Sequence, residues 1–394
     1  MFGGGGAKLY FRLNVLWYNY LSFEIIMARQ RFTSRIKFIS VKKICKAILL
    51  VIVCDLSYVI AHAQIGGTTV FHVLNQSPSA RATAMGGTFI SLLDDDASLA
   101  YENPSLINLR MDNHLSLNYI DYVADIKAGY VGYVHNIHKI GTTFNAGIQY
   151  LDYGTFTATD ALGNTGITFN GAEYALTLGA AREYAERFHY GINFTYLTSR
   201  LESYTASGAA VTFAGCYHDS AQGFTATVEF KNVGTQFKSY TSDNSEPLPF
   251  DLQAGISKRV EHTPFLFSLV LHDLYRWDIR YDDPNAQTTT SILLDSSQQS
   301  KIKTYTADKI FLHTIIGTEI YFGKSFRISI AYNHQRRQEL AFENRKGLAG
   351  FSFGAGLRIN RFRFDYGRSI YNIVDGVNHL SLSVNLDELF GKRM

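Results

Sequence analysis

The sequence predicts an all-β fold: a 14-stranded antiparallel transmembrane β-barrel with an N-terminal luminal hatch. Three observations predict it. Apolar and polar residues alternate in segments that recur from about residue 113 to 386. Aromatic residues reach 14%, with 25 Tyr and 28 Phe against only 6 Pro. The connections between the alternating segments are short and long in turn, as in outer-membrane barrels.

The chain opens with a leader that contains a signal peptide, predicted over residues 1–63. A basic stretch that ends at Lys46 precedes the apolar run Ala47–Val53, and Ala61–Ala63 supplies a small-residue cleavage site. A lipoprotein would instead use Cys54, but the bulky Val53 disfavours that processing. A second methionine, Met27, would start a more ordinary leader. We therefore predict an exported protein.

Removal of the leader changes the charge and the cysteine count. The leader holds nine of the 37 Lys and Arg residues and two of the 34 Asp and Glu residues, which leaves 28 basic against 32 acidic groups. This balance gives no basic surplus for nucleic acid. Cys216 is the single remaining cysteine, so an internal disulfide is excluded. No later segment approaches the roughly 20 apolar residues of a membrane-spanning helix, so any crossing uses strands.

Before the first strand lies a predicted hatch segment, residues 64–112, with the barrel over 113–394. Gly86 and Gly87 permit close approach of the backbone. The run Asp94–Asp96 is expected to cap a short helix through Ala97–Glu102, which Pro104 ends. Calcium binding by this run is the alternative, although its oxygen ligands lack the regular spacing of a calcium loop. Fourteen strands leave a lumen wide enough for the segment.

Fourteen strands follow, and each is bounded by turn residues. The predicted ranges are 113–122, 125–135, 140–152, 171–183, 187–199, 208–218, 222–231, 250–260, 264–274, 309–323, 325–335, 348–359, 361–370 and 377–386. In the last strand the apolar set Leu380, Leu382, Val384 and Leu386 is expected to face lipid. The opposite faces of other strands carry charges that suit a polar lumen: Glu229, Lys231, Arg327, Arg361 and Arg363.

The parity of the connections sets the orientation in the membrane. Short turns are expected at the periplasmic end and long loops at the cell exterior. The longest connection, Tyr275–Asp308, falls on the long side. Its first residues include the predicted partner contacts Tyr275, Arg276, Trp277 and Tyr281, because aromatic and arginine side chains anchor protein interfaces. For Trp277, a place in the aromatic belt at the headgroup level is the alternative.

Three stretches carry a resemblance to known proteins. The segment "ARATAMGGTFISLLDDDASLAYENPSLI" resembles the N-terminal hatch of the fatty-acid-transporter-like outer-membrane barrels. Within that group, Tyr217–Tyr240 and Glu246–Pro284 resemble the PorQ family of the type IX secretion system of Bacteroidota, while PorV shares the hatch. One departure is the ending "DELFGKRM", since the usual barrel-assembly signal places an aromatic residue such as Phe390 at the terminus.

The resemblance implies a non-enzymatic barrel of the outer membrane. Members of that family hold the surface protein PorZ beside PorV and the sortase PorU, where cargo is joined to anionic lipopolysaccharide. The implied partners are thus PorZ, the PorU/PorV attachment complex and outer-membrane lipid, with no cofactor and no nucleic acid. A channel for hydrophobic small molecules, like the fatty-acid transporters, is the alternative function. The residues themselves indicate neither a catalytic group nor a metal site.

Overall fold

The computed structural model describes residues 69–122, 125–241, 245–279, 306–340, 347–372 and 376–391. The predicted leader, residues 1–63, lies outside the described residues, as do Tyr281 and most of the long loop that contains it. Within the described ranges, no helix is both long and apolar enough to span a membrane.

Fourteen antiparallel strands form one closed barrel, as the sequence predicts. They are β1 (His114–Asp121), β2 (Lys127–Ile137), β3 (Thr142–Thr159), β4 (Thr165–Tyr184), β5 (Phe188–Leu201), β6 (Tyr204–Asp219), β7 (Phe224–Lys238), β8 (Asp251–Arg259), β9 (Phe265–Leu271), β10 (Thr314–Phe322), β11 (Phe326–Asn333), β12 (Phe351–Ile359), β13 (Phe362–Ile370) and β14 (Gly376–Asn385).

Each strand pairs with its sequence neighbours, and β1 closes the barrel by pairing with β14. The closing register runs from His114 opposite Asn385 to Asp121 opposite Asn378. Pairing of the first strand with the last leaves no edge strand, which is the condition for a sheet in lipid.

The two faces of the wall differ as the alternation predicts. On β14, Leu380 is 56% exposed, whereas His379 and Ser381 are buried towards the lumen. Two members of the predicted lipid-facing set differ: Val384 is covered, and Leu386 begins a short terminal helix after the strand ends. The outer face is therefore apolar through the middle of β14 and ends before Leu386.

In the described ranges, four short α-helices accompany the barrel: α1 (Ala80–Ala84), α2 (Thr306–Leu312), α3 (His334–Leu340) and α4 (Leu386–Phe390). Helix α2 corrects the predicted strand over residues 309–323, because β10 begins only at Thr314. The apolar run around Ile310 and Phe311 suits a short amphipathic helix as well as a strand, and periodicity alone does not separate the two.

The two ends of the barrel have different connections. At one end the turns are tight: Ala185 and Glu186 between β4 and β5, and Asn360 between β12 and β13, have left-handed backbone conformations. At the other end, the segment predicted as a long loop between β3 and β4 is mostly strand, because β3 extends to Thr159 and β4 starts at Thr165. Residues of high β propensity continue the hairpin beyond the barrel wall.

Residues 69–112, called the hatch below, run through the lumen without forming a strand. They contain α1 and four turns of 3₁₀ helix: His72–Asn75, Ala97–Leu99, Pro104–Leu106 and Leu109–Met111. Phe71, Phe89, Leu99 and Leu106 are fully buried. One apolar cluster joins Phe71 and Leu74 to Leu151 and Leu197 on the wall. The lumen is therefore filled by the chain's own N-terminal part.

Candidate functional site

The hatch owes its compact course to side chains that cap its turns. Ser79 accepts a hydrogen bond from the backbone N–H of Ala82 at the start of α1. Asp96 and Asn103 accept from the second residue of the 3₁₀ turns that follow them, Ser98 and Ser105. These acceptors satisfy amide groups that the short turns leave free. The helix predicted over Ala97–Glu102 is only the 3₁₀ turn Ala97–Leu99.

Arg81 is the centre of an ionic network between the hatch and the barrel wall. Its side chain is 1% exposed. Its Nη1 lies 2.6 Å from Asp94 Oδ2 and 3.2 Å from Asp96 Oδ2, both within the hatch. Its Nε and Nη2 lie 2.8 and 2.6 Å from the two carboxylate oxygens of Glu319 on β10. This bidentate pair is the strongest geometry available to an arginine and a carboxylate.

The wall supplies three further arginines to the same network. Arg327 lies 2.6 Å from Asp365 and 3.4 Å from Glu319, which are both wall residues. Arg363 reaches Asp95 at 2.6 Å, and Arg358 contacts the other oxygen of Asp95. The wall arginines thus hold the acidic run of the hatch as well as wall carboxylates.

The network is nearly balanced in charge. Four arginines, at positions 81, 327, 358 and 363, face five carboxylates, at positions 94, 95, 96, 319 and 365. Burial favours the neutral acid at Asp95, but Arg363 and Arg358 outweigh burial and lower the pKa of Asp95 from 3.8 to about 2. Asp95 therefore remains ionised at neutral pH.

Sequence reasoning placed the parts of this network but missed their pairing. It assigned Asp94–Asp96 to helix capping, and Asp96 does cap a turn, yet the main partners of the run are arginines. It placed Arg327 and Arg363 in the lumen, and both are buried there. Arg361 is a correction: it precedes β13 in the turn, is exposed, and donates to the carbonyl of Leu389. The sequence signal for this pairing was the combination of inward-facing arginines on the strands with three consecutive aspartates in the hatch.

Hydrogen bonds fasten the hatch to other strands around the barrel. Ala80 N–H donates to Ser381 Oγ on β14 at 2.9 Å, and Val73 N–H donates to Glu173 Oε2 on β4 at 2.8 Å. Lys231 on β7 pairs with Glu102 at 3.2 Å. At Gly367 on β13, a Cβ atom would stand 2.1 Å from the carbonyl oxygen of Ala80, so glycine is required there. The hatch is held from several sides.

A small polar cavity of about 220 Å³ lies between the hatch and the wall. Lys231, Asp251, Gln253, His272 and Arg336 are among its lining residues. Within the described part of the lumen this cavity is polar, whereas a hydrophobic substrate would need an apolar one. Glu229, a predicted luminal residue, is fully buried on the same side of the wall.

The predicted partner contacts lie at the root of the long loop between β9 and β10. The Tyr275 ring packs edge-on against Phe250, and the Arg276 guanidinium lies 4.6 Å above the Tyr275 ring. Trp277 is 61% exposed and stacks on His313. Tyr275 and Arg276 are partly buried, so of these three Trp277 has the most surface free for a partner.

The β3–β4 hairpin extends beyond the wall at the long-loop end. Pairing with β2 stops at Asp152, and pairing with β5 stops at Gly171. The six residues Thr165–Asn170 therefore project by about 20 Å at roughly 3.3 Å per residue. Leu162 at the tip is 87% exposed and Ile167 is 77% exposed. The strand ranges predicted from the sequence leave this stretch as a loop, so they do not indicate its apolar surface.

The wall is incomplete beside the upper part of β7. Pairing between β7 and β8 ends at Lys231 opposite Asp251, and Asn232 has a left-handed backbone conformation. Beyond this kink, β7 pairs with β6 on its other edge only. Residues 245–250 cover the open edge, and a recess of about 520 Å³ lies between them and β7.

Comparison with known proteins gives structural likenesses only. No family model matches the sequence, and no curated protein matches it. A solved mutant of the monoaromatic hydrocarbon channel TodX aligns over 78% of this chain and 97% of its own, at 12% identity and a TM-score of 0.47. The monoaromatic hydrocarbon channel CymD aligns over 80% and 97%, at 12% identity and 0.42. A Pseudomonas aeruginosa FadL homologue aligns over 79% and 98%, at 10% identity and 0.40.

Likeness at this level says nothing about what the chain binds. The barrel's own geometry carries the membrane assignment: a closed antiparallel wall with an apolar outer face is an outer-membrane β-barrel. The type IX secretion prediction receives no support from these three structures and stays a prediction.

Proposed function

We propose that this protein is a sealed outer-membrane barrel that anchors a protein partner at the cell surface. On the resemblance of its sequence, the partner is a PorZ-like surface protein of the type IX secretion system, next to the PorU/PorV attachment complex. The observation that carries the proposal is the hatch. It fills the lumen and is tied to the wall by the Arg81 network.

The fastening of the hatch argues against a pore. To open the lumen, Arg81 would have to leave Glu319, and Asp95 would have to leave Arg358 and Arg363. Separating the buried pair of Arg81 and Glu319 leaves two uncompensated charges, at a cost of several kcal/mol. A barrel that is closed in its resting state suits an anchor, which needs a stable wall and an exposed surface.

The exposed surface is the β3–β4 hairpin together with the root of the long loop. Leu162, Ile167 and Trp277 present apolar area at the end of the barrel that carries the longer connections. Exposed apolar side chains such as these beyond the wall offer contact points for a protein partner. On the loop-parity argument this end faces the cell exterior.

Double substitution of the hairpin tests the proposal. Leu162→Ser with Ile167→Ser removes apolar surface and leaves the barrel wall untouched. We expect the surface partner to appear in the culture medium instead of on the cells, while the barrel still migrates in its heat-modifiable folded form. Ile140→Ser is the matched control, because Ile140 is 50% exposed at the tight-turn end. Normal partner levels on cells that carry the double variant, or on cells that lack the protein, would refute the proposal.

A second candidate function is a channel for hydrophobic small molecules. The kink at Asn232 and the recess beside β7 favour it, because the wall is incomplete there. Leu248 on the covering segment belongs to the same apolar cluster as Val70 and Phe71 of the hatch, so the recess adjoins apolar side chains of the lumen. The monoaromatic hydrocarbon channels TodX and CymD are among the structures with a similar course of the chain.

Uptake of labelled toluene by whole cells separates the two functions. A channel predicts that uptake falls several-fold when the gene is deleted and returns with the wild-type protein. An anchor predicts unchanged uptake in the deletion strain, together with loss of the surface partner.

A further inference from the structure

The outer face of the barrel carries an apolar groove that the anchoring function does not use. It lies across β4–β9 and has a volume of about 820 Å³. Its floor is formed by Gly215, Ala226 and Ala254, where small side chains leave the wall thin. A Cβ atom at Gly215 would meet no atom within 4 Å, so the space above it is open.

Larger side chains border this floor. Tyr190 and Tyr217 border the groove on the β5–β6 side, and Ile256, Leu269 and Leu271 border it on the β8–β9 side. The register brings Gly215 beside both Tyr190 and Val228, and Ala226 beside both Tyr217 and Ile256. Because these residues face the hydrocarbon layer, the occupant of the groove is a membrane component.

Two cations flank the groove. Arg182 on β4 is the register partner of Tyr190, and Lys258 on β8 lies two residues beyond Ile256 on the same outward face. In the half of β4–β9 nearest the tight turns, three charged residues lie on the outward face by alternation: Arg182, Lys258 and Asp219 at the end of β6. Asp219 is buried and accepts hydrogen bonds from the backbone N–H groups of Ala221 and Gln222. Arg187 in the β4–β5 turn is not counted, because Asp219 lies 3.5 Å from it.

We propose that the groove binds a phospholipid of the periplasmic leaflet. Its acyl chains lie over Gly215, Ala226 and Ala254, and its phosphate binds Arg182 or Lys258. Charge complementarity selects this occupant: the outward cations Arg182 and Lys258 suit a phosphate and do not suit the apolar flank of a second barrel, and the nearby acid Asp219 is buried and paired with Arg187. By the parity of the connections, the tight turns lie at the periplasmic side of the membrane. The groove is near these turns, so it lies in the periplasmic leaflet, which is formed by phospholipids.

Native mass spectrometry of the purified full-length barrel with added dioleoyl phosphatidylglycerol tests this site. Ala226→Leu fills the groove, and we expect the lipid-bound fraction to fall at least fivefold. Ala146→Leu, at an exposed outward position of β3 away from the groove, is the matched control and should bind as the wild type does. Equal lipid binding by the wild type and Ala226→Leu would overturn the proposal, since it would indicate only general annular lipid.

A second pair of measurements tests the phosphate contact without altering the groove. Dioleoylglycerol has the same acyl chains and no phosphate, so the wild type should retain it less than phosphatidylglycerol. Arg182→Gln with Lys258→Gln should lower phosphatidylglycerol retention to the dioleoylglycerol level. Equal retention of both lipids by the wild type, or a lipid-free dimer whose formation Ala226→Leu abolishes, would overturn the assignment.

Discussion

At the scale of single residues, Arg81 is a buried positive charge that is paired with carboxylates of both the hatch and the wall. It is almost fully buried and is paired with Asp94, Asp96 and Glu319. A buried ion pair adds little over apolar packing, but removal of one partner leaves a buried charge without compensation. Arg81 therefore fixes the position of the hatch.

Arg81→Ala is expected to release the hatch. The substitution removes the bidentate partner of the buried Glu319 and leaves the more distant Arg327 as its ion-pair partner, at a cost of about 3–5 kcal/mol. Hydrogen exchange should show faster exchange of amides in residues 80–112, while the strands stay protected. Arg361→Ala is the control, because Arg361 is exposed in a turn. Unchanged exchange in the hatch of Arg81→Ala would show that the network does not hold it.

Acid should loosen the hatch through Asp95. Its pKa is about 2 when folded, below the ordinary value of 3.8, so the ion pairs contribute stability fully above about pH 4. This contribution is lost as the pH falls towards 2. Pepsin cleavage within the hatch should therefore increase between pH 4 and pH 2. In Asp95→Asn the hatch should be looser at pH 4 and change less with pH; an identical profile in both proteins would contradict the assignment.

At the scale of elements, period-two alternation predicted every strand because each strand has one face in lipid and one in a polar lumen. The ends of the strands were harder to predict. Nothing in the alternation distinguishes a strand that stops at the membrane surface from one that continues into water, as β3 and β4 do. The pairing of Arg327 with Asp365 and Glu319 also could not be predicted from the sequence, because it depends on strand register and on the position of the hatch.

Leu380→Arg is expected to weaken barrel assembly by about 2–4 kcal/mol, because Leu380 lies at the middle of β14 on the outer face. Leu162→Arg should be tolerated, since Leu162 is even more exposed but stands at the hairpin tip beyond the wall. Urea unfolding in lipid vesicles, followed by the difference in gel mobility between the folded and the unfolded barrel, measures the free energy of unfolding of both variants. Equal losses would mean that exposure alone, and not contact with lipid, determines the cost.

At the scale of the whole molecule, closure and the buried hatch act together. Fourteen strands enclose a lumen too wide for wall side chains alone to fill, and residues 69–112 fill it. The sequence predicted both the strand count and a hatch in the lumen, because the segment before β1 is too apolar for a linker. The sequence does not show how firmly the hatch is held, because this depends on the ion pairs of Asp95 with Arg358 and Arg363, which form only in the folded structure.

Conductance of the purified wild-type barrel in a planar lipid bilayer at neutral pH tests the seal most directly. A hatch held by the Arg81 network predicts no steady ion current after insertion, and it predicts that Arg81→Ala opens transient current steps in the same bilayer. A stable ohmic conductance of the wild-type protein would contradict the sealed lumen, and with it the proposal that this barrel serves as an anchor.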